Sequence, residues 1–297
     1  MNFGQGEKIA APKNELVMII YRTMKPYDIA AGLSLCRAAG WNQLARDWEI
    51  FLHLSPNDCR VATRKDKVVG TVTIIRYQNF FSWIGMVLVD PACQRQGIGM
   101  QLLKEALQIL HHEETIKLDA TPAGREVYLK LNFVDEYRLS RMSTIAAAER
   151  LKVSTARALR KNDLSAVVEF DREIFGADRQ PLLEWILEGA PQYAFLMEEK
   201  NEIQGYCLGR HGHNFTHIGP VIAKNSGIAK NLVSAALHNC IGRPVILDAL
   251  HFEPEWIEWL TSIGFAEQRP LLRMYRGSNK FPLVREKQFT ILGPEFG

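Results

Sequence analysis

The chain has 297 residues, 47% of them apolar and 23% charged, with a net charge of +3. Those values are ordinary for a globular protein, and no run of like charge is long enough for a nucleic-acid-binding arm. No apolar stretch nears the roughly 18 residues of a membrane helix. The five scattered cysteines (Cys36, Cys59, Cys93, Cys207, Cys240) form no C-x-x-C pair, which points to a reducing cytoplasm rather than to disulfides or zinc.

Residues 1–16 lack the apolar segment of a signal peptide and read as a flexible leader. From there strand and helix patterns alternate. A short strand at "YRT" enters a helix for which Asp28 is the expected N-cap, its carboxylate accepting free N–H groups of the first turn. A second helix follows in "RDWEIFLHL", then two strands about a polar turn in "CRVATRKDKVVGTVTII" and another in "WIGMVLV". A helix with Leu103, Leu107 and Leu110 on one face, a strand "TIKLDA", a helix "REVYLKL" and a closing strand pair complete the unit. This order predicts an α/β fold around a mixed central sheet.

The whole pattern recurs 129–135 residues later. Asp28 is answered by Asp163 (again an expected N-cap), Gly70 by Gly205, and Ile84-Gly85 by Ile218-Gly219. Leu118-Asp119-Ala120 is answered by Leu247-Asp248-Ala249, and Met142 by Met274. Anchors in one order at nearly one offset mark a tandem duplication. The expected division is a leader at 1–16, a first domain at 17–147, a second at 148–276 and a C-terminal tail at 277–297.

Between "WIGMVLV" and its helix lies "DPACQRQGIGMQLL", residues 90–103. Two readings are open on these residues alone. The loop uses glycine simply to turn, or its bare N–H groups converge at a helix N-terminus on an anion such as a pyrophosphate. It is not a Rossmann fingerprint, since Leu102 stands where a third glycine would, and not a P-loop, since no Lys-Ser/Thr follows. In Gln94-Arg95-Gln96-Gly97-Ile98-Gly99 it resembles the acetyl-CoA signature of the GNAT acetyltransferase superfamily, Gln/Arg-x-x-Gly-x-Gly/Ala. "AGWNQLARDW" and "FTILGPEFG" are similar to segments of a bacterial tandem-domain subgroup of that superfamily.

The resemblance implies two tandem GNAT acyl-CoA N-acyltransferase folds, with acetyl-CoA as co-substrate and no metal. It implies that the backbone at Leu88 and Val89 pairs with the pantetheine arm and that an N–H of that strand end polarises the thioester carbonyl. The amides of Gln94, Arg95, Gln96, Gly97, Ile98, Gly99 and Met100 are then expected to hold the pyrophosphate. Tyr128 corresponds to the tyrosine that protonates the departing thiolate, although by pattern alone it reads as a half-buried core aromatic. Asn132 stands where the family usually has glycine, and asparagine also tolerates a left-handed backbone. The strand glutamate that many members use as a base is replaced by Gly85. Proton removal then falls to water, to Asp47 or Glu49, or to the second domain.

Other candidates have plainer readings. His211, His213 and His217 lack a carboxylate or thiolate to complete a metal site and read as surface residues, and Cys93 reads as a small filler. Trp41, Trp48 and Trp83 read equally as pocket wall or as core. In the second copy only four positions separate Ala223 from Gly227, against eight from Val89 to Gly97, and Leu260 stands where Tyr128 would. The second copy is therefore expected to be degenerate. The expected function is acetyl transfer from acetyl-CoA to a primary amine by direct attack, in a cytoplasmic protein, with chemistry in the first domain. The alternative is a non-catalytic acyl-CoA-binding sensor. The acceptor is left open between a small-molecule amine and a protein amine, as is the oligomeric state, and no nucleic-acid or membrane partner is expected.

Overall fold

The computed structural model describes residues 18–78, 80–280 and 284–297, so the expected leader lies outside the described residues. The first copy runs β1 (Ile19–Thr23), α1 (Ile29–Ala38), α2 (Ala45–Leu54), β2 (Arg60–Arg64), β3 (Lys67–Tyr77) and β4 (Phe81–Val89). It continues with α3 (Ile98–Ile109), β5 (Thr115–Ala120), α4 (Pro122–Leu129) and β6 (Val134–Ile145). The second copy repeats the order as β7 (Arg157–Ala158), α5 (Leu164–Phe175), α6 (Gln180–Gly189), β8 (Phe195–Glu199) and β9 (Glu202–Arg210). Then come β10 (Thr216–Ala223), α7 (Ser226–His238), β11 (Pro244–Leu250), α8 (Pro254–Ser262) and β12 (Ala266–Gly277), with a further short strand β13 (Gln288–Thr290) in the tail.

The mixed sheet expected from the sequence is present, as one sheet in the order β1-β2-β3-β4-β5-β12-β6-β11-β13-β10-β9-β8-β7. Its inner strands are rich in β-branched residues and covered on both faces; eight consecutive residues of β3, Val68 to Ile75, are buried. On one face α1 and α2 share a single core with α5 and α6 through residues such as Trp48, Phe51, Phe175 and Leu182. On the other face α3 covers the first copy, while α7 and α8 cover the second.

The two copies exchange their last strands. β12 lies antiparallel beside β5 of the first copy, β6 lies antiparallel beside β11 of the second, and β12 and β6 pair with each other at the centre. Each exchanged strand is fastened by a buried, two-toothed ion pair between residues directly opposite in register. Arg141 on β6 meets Asp248 on β11 through two bonds of 2.8 Å, and Arg273 on β12 meets Asp119 on β5 through two of the same length. Both pairs are withdrawn from solvent.

The expected N-caps differ from what the structure shows. Neither Asp28 nor Asp163 accepts a bond from the helix that follows it. Each closes a preceding 3₁₀ turn, so the backbone is already helical there and the carboxylate reaches back instead, to the N–H of Lys25 or Arg160 at 2.8 and 2.7 Å. Both oxygens of each carboxylate also take a fork, from Arg22 and Arg157, respectively.

Strand exchange leaves neither half complete without the other, so equilibrium unfolding in urea is expected as one transition for the whole chain. Breaking a buried ion pair by neutralising one member costs about 3–5 kcal/mol, because the other charge stays buried. Asp248→Asn and Asp119→Asn should each lower the unfolding free energy by about that amount. Burial would raise the Asp248 carboxyl, but Arg141 and His217 hold it well below the usual range. Its contribution is therefore in place above about pH 4, the unfolded value, and is lost as pH falls toward its folded value.

Candidate functional site

One cavity of about 840 Å3 follows the open side of β4, from the loop before α3 to the junction of the two copies. It exists because β4 and β5 stay together for only two parallel pairs, Ser82 with Ile116 and Trp83 with Lys117, and then part. The parting begins at a bulge. Two residues of β4, Met86 and Val87, lie opposite the single Val72 of β3, and Met86 takes a φ of +50°. The buried Thr71 hydroxyl donates to the Met86 carbonyl at 2.8 Å and holds the kink.

At one end of the cavity the loop 90–97 carries left-handed residues at Arg95 (φ +60°) and Gly97 (φ +82°) before α3 begins. This alternation turns successive N–H groups toward one side, and the α3 N-terminus adds its partial positive charge. A Cβ at Gly97 would meet nothing within 4 Å, so glycine is needed there for its φ rather than for space. Gly99 has an ordinary φ, and a Cβ there would touch only the Val89 side chain at 3.4 Å. Of the expected loop residues Gln94, Arg95, Gly97, Ile98, Gly99 and Met100 line the cavity; Gln96 is exposed outside it. Val89 lines it too, while the Leu88 side chain points into the core shared by α1 and α2.

Tyr128 lines the same cavity from α4, half-buried beside Phe133. Thr121 caps that helix by accepting from the Gly124 N–H, and Asn132 ends it at φ +62° while the Phe133 N–H reaches back to the Tyr128 carbonyl. The asparagine thus does what glycine usually does. Burial pushes the Tyr128 hydroxyl up to about 12.

The far end of the cavity was not legible in advance. Its wall includes Trp41, Gln43, Gly85, Arg141, Arg269, Leu271, Pro294 and Glu295, drawn from both copies and the tail. The tail crosses to the first copy and stacks Phe296 on Phe51 with ring centres 4.8 Å apart. That lays Glu295 against Gly85, where a Cβ would sit 2.8 Å from its carbonyl oxygen. A carboxylate thus reaches the neighbourhood of the missing strand glutamate from elsewhere in the chain. Burial would raise the Glu295 carboxyl, but Arg210, 2.5 Å away, and Gln43, at 2.9 Å, keep it below the usual range. Of the bases considered from sequence, Asp47 is buried on the same Arg210 and Glu49 is exposed on α2; neither lines the cavity. The tail segment stood out in the sequence, but nothing in its pattern said where it would pack.

Three sequence readings are corrected or resolved here. His217 is buried rather than on the surface, bonded to Asp248 at 3.1 Å. Trp41 lines the cavity, whereas Trp48 and Trp83 are core. Cys93 is a buried free thiol, as are the other four cysteines, and among the described residues no group of side chains is arranged for a metal.

The second copy holds the same slot, filled. β10 and β11 pair at Thr216 with Val245 and His217 with Ile246, then part as β4 and β5 do. Into the gap goes β13, pairing with β10 at Val221 and Ile222 and with β11 at Ala249. Only Lys224 and Asn225 separate β10 from α7; the Asn225 side chain takes the Ile228 N–H, and Lys224 is paired with Glu202. Leu260 is fully buried.

The acetyltransferase (GNAT) family profile matches residues 28–133, and a second acetyltransferase (GNAT) domain profile matches residues 167–290. The chain is 25% identical over 241 residues to holothin acyltransferase of Pseudoalteromonas sp. (strain SANK 73390), covering 81% of this chain and 82% of that one. It is 21% identical over 268 residues to the uncharacterized N-acetyltransferase YitH of Bacillus subtilis (strain 168), covering 89% and 94%. A crystal structure of a candidate acetyltransferase from Pyrococcus horikoshii superposes with a TM-score of 0.78 at 27% identity, over 97% and 99% of the two chains. A tandem GNAT protein from the clavulanic acid biosynthesis pathway superposes with a TM-score of 0.63 at 13% identity, over 87% and 98%, a likeness of fold alone.

The contact at Gly85 yields a direct check. In Gly85→Ala the new methyl must displace the tail backbone, an overpacking expected to cost about 1–3 kcal/mol. Thermal unfolding of that variant should show the loss.

Proposed function

The chain belongs to the GNAT acetyltransferase family in both of its halves, and from that premise we propose that it transfers acetyl from acetyl-CoA to a primary amine, with chemistry in the first copy. The observation that carries this reading is the contrast between two equivalent slots. In the second copy a strand of the protein's own tail pairs with the edge of β10. In the first copy the matching edge of β4 borders the cavity instead, in a shape suited to an extended chain such as pantetheine.

The residues fit the rest of the molecule. The amides of loop 90–97 and the start of α3 converge as a pyrophosphate requires, and Arg95 and Lys130 add cationic side chains at the cavity wall. An N–H at the β4 bulge would polarise the thioester carbonyl as the amine nitrogen attacks its carbon. The carbon–sulfur bond then breaks, and Tyr128, still protonated at neutral pH, gives its proton to the sulfur. The proton lost by the nitrogen leaves through water and restores the tyrosine. Glu295 is too acidic to be an efficient base; as a fixed carboxylate it attracts the ammonium form of the acceptor. Positioning the two reactants together supplies most of the acceleration.

Isothermal titration of the full chain with acetyl-CoA should give one site per chain. Two equivalent sites would contradict the filled-slot argument. Gly99→Val should weaken acetyl-CoA about tenfold, or about 1.4 kcal/mol, by placing a side chain in the path of the phosphates. Tyr128→Phe should lower kcat with an accepted amine by roughly tenfold to a thousandfold and hardly alter acetyl-CoA affinity. Acetyl-CoA binding without thiol release on a broad amine panel would favour the sensor reading instead.

A further inference from the structure

Arg269 lines the far end of the cavity, and among the described residues no hydrogen bond or ion pair engages its side chain; its Nε is buried without a partner. Its register makes this unusual. On the central strand pair Arg269 lies directly opposite Arg141, beside a bulge at Gln268 that re-aims the strand. Like charges directly opposite on neighbouring strands are destabilising. Arg141 has Asp248 on both teeth of its fork, so that aspartate is already engaged. Burial and the Arg141 charge pull the Arg269 guanidinium down to about 10, still well above neutrality.

The duplication supplies an internal control. Counting back from Met274 and Met142, the residue equivalent to Arg269 in the first copy is Tyr137. Tyr137 lies opposite Arg273 as Arg269 lies opposite Arg141, and its hydroxyl accepts from Arg273 at 2.6 Å. The fold is thus served by a tyrosine at this position. An arginine there makes no direct hydrogen bond or ion pair among the described residues, with Asp248 and Glu295 attracting it only at longer range, and it lines the cavity.

We propose that Arg269 receives a carboxylate on the acceptor, so that the acceptors are amino acids and their close relatives rather than simple amines. The identity of the reacting amine rests on the acyl-transfer reading above; the anion site does not. A planar guanidinium fork matches a carboxylate, and a single cation without a direct ion-pair partner matches a monoanion better than a phosphate dianion. Across the same end of the cavity Glu295 offers the opposite charge, and its partner Arg210 is divided between Glu295 and Asp47. The two poles suit a zwitterion. Trp41, Leu271 and Pro294 between them suit an apolar side chain.

The test measures binding and turnover of paired probes on the full chain. The probes are L-leucine, L-methionine and L-phenylalanine, each against its carboxamide, with acetyl-CoA present. In wild type at least one acid should bind and release thiol about tenfold or more better than its amide. In Arg269→Gln that ratio should fall toward one, and Arg269→Lys, which keeps the charge without the fork, should restore part of it. Removing a like charge opposite Arg141 should leave the fold at least as stable, which a melting curve checks. If Arg269→Gln does not fold, Arg269→Tyr copies the first-copy arrangement and is expected to lose the same preference. Amides bound as well as acids in wild type, no binding of either set, or a full preference surviving in Arg269→Gln or Arg269→Tyr would each overturn the assignment. A preference in binding without thiol release would instead sustain the carboxylate site and refute acyl transfer.

Discussion

Arg141 with Asp248 and Arg273 with Asp119 fix the position of everything else, because each pair joins a strand of one copy to a strand of the other. Taking four charges out of water costs several kcal/mol per ion, which only well-formed bonds offset. That cost makes the pairs strict about register. A slip of one residue in β6 or β12 would turn each arginine to the opposite face of the sheet and strand its aspartate. The exchanged strands are therefore held in one alignment, and that alignment brings Arg141 and Arg269 to the edge of a cavity belonging mainly to the first copy.

The tail extends the same logic. Its first part, β13, occupies the gap in the second copy; its last residues cross over and wedge between α2, β3 and β4 of the first. One segment thus closes one slot and furnishes a wall of the other. The duplicated unit keeps its fold while its slot is closed. A filled edge, a shortened loop capped by Asn225, and a buried Leu260 suffice.

Such a division allows the two copies to do different things with the same scaffold. The first keeps the loop with its left-handed turns and the half-buried Tyr128, while the second supplies Arg210 and His217 behind the cavity and Arg269 within it. The far end of the cavity is a joint construction of both copies and the tail. The charged groups lining that end, Arg141, Arg269 and Glu295, come from β6, β12 and the tail, with Asp47 of α2 and Arg210 of β9 behind Glu295, a combination no single copy could assemble.

The sequence by itself determined the elements, their alternation and the duplication, because periodicity and turn chemistry are local and the anchors recur at one offset. The glycine-rich helix entry at 90–97 is legible in the sequence, whereas Tyr128 is singled out only by its resemblance to the family's tyrosine, since by pattern alone it reads as a core aromatic. Local reasoning misjudged Asp28 and Asp163, whose carboxylates turn back to a 3₁₀ turn, and His217, whose burial depends on Asp248 far along the chain. Only the tertiary structure decided that β6 and β12 change places, that β13 fills a slot, and that Glu295 lies against Gly85. The physical reason is the same in each case. These are pairings between residues some forty to more than two hundred positions apart, set by which edges and charges remain unsatisfied once the local elements have formed, and no window of sequence contains both partners.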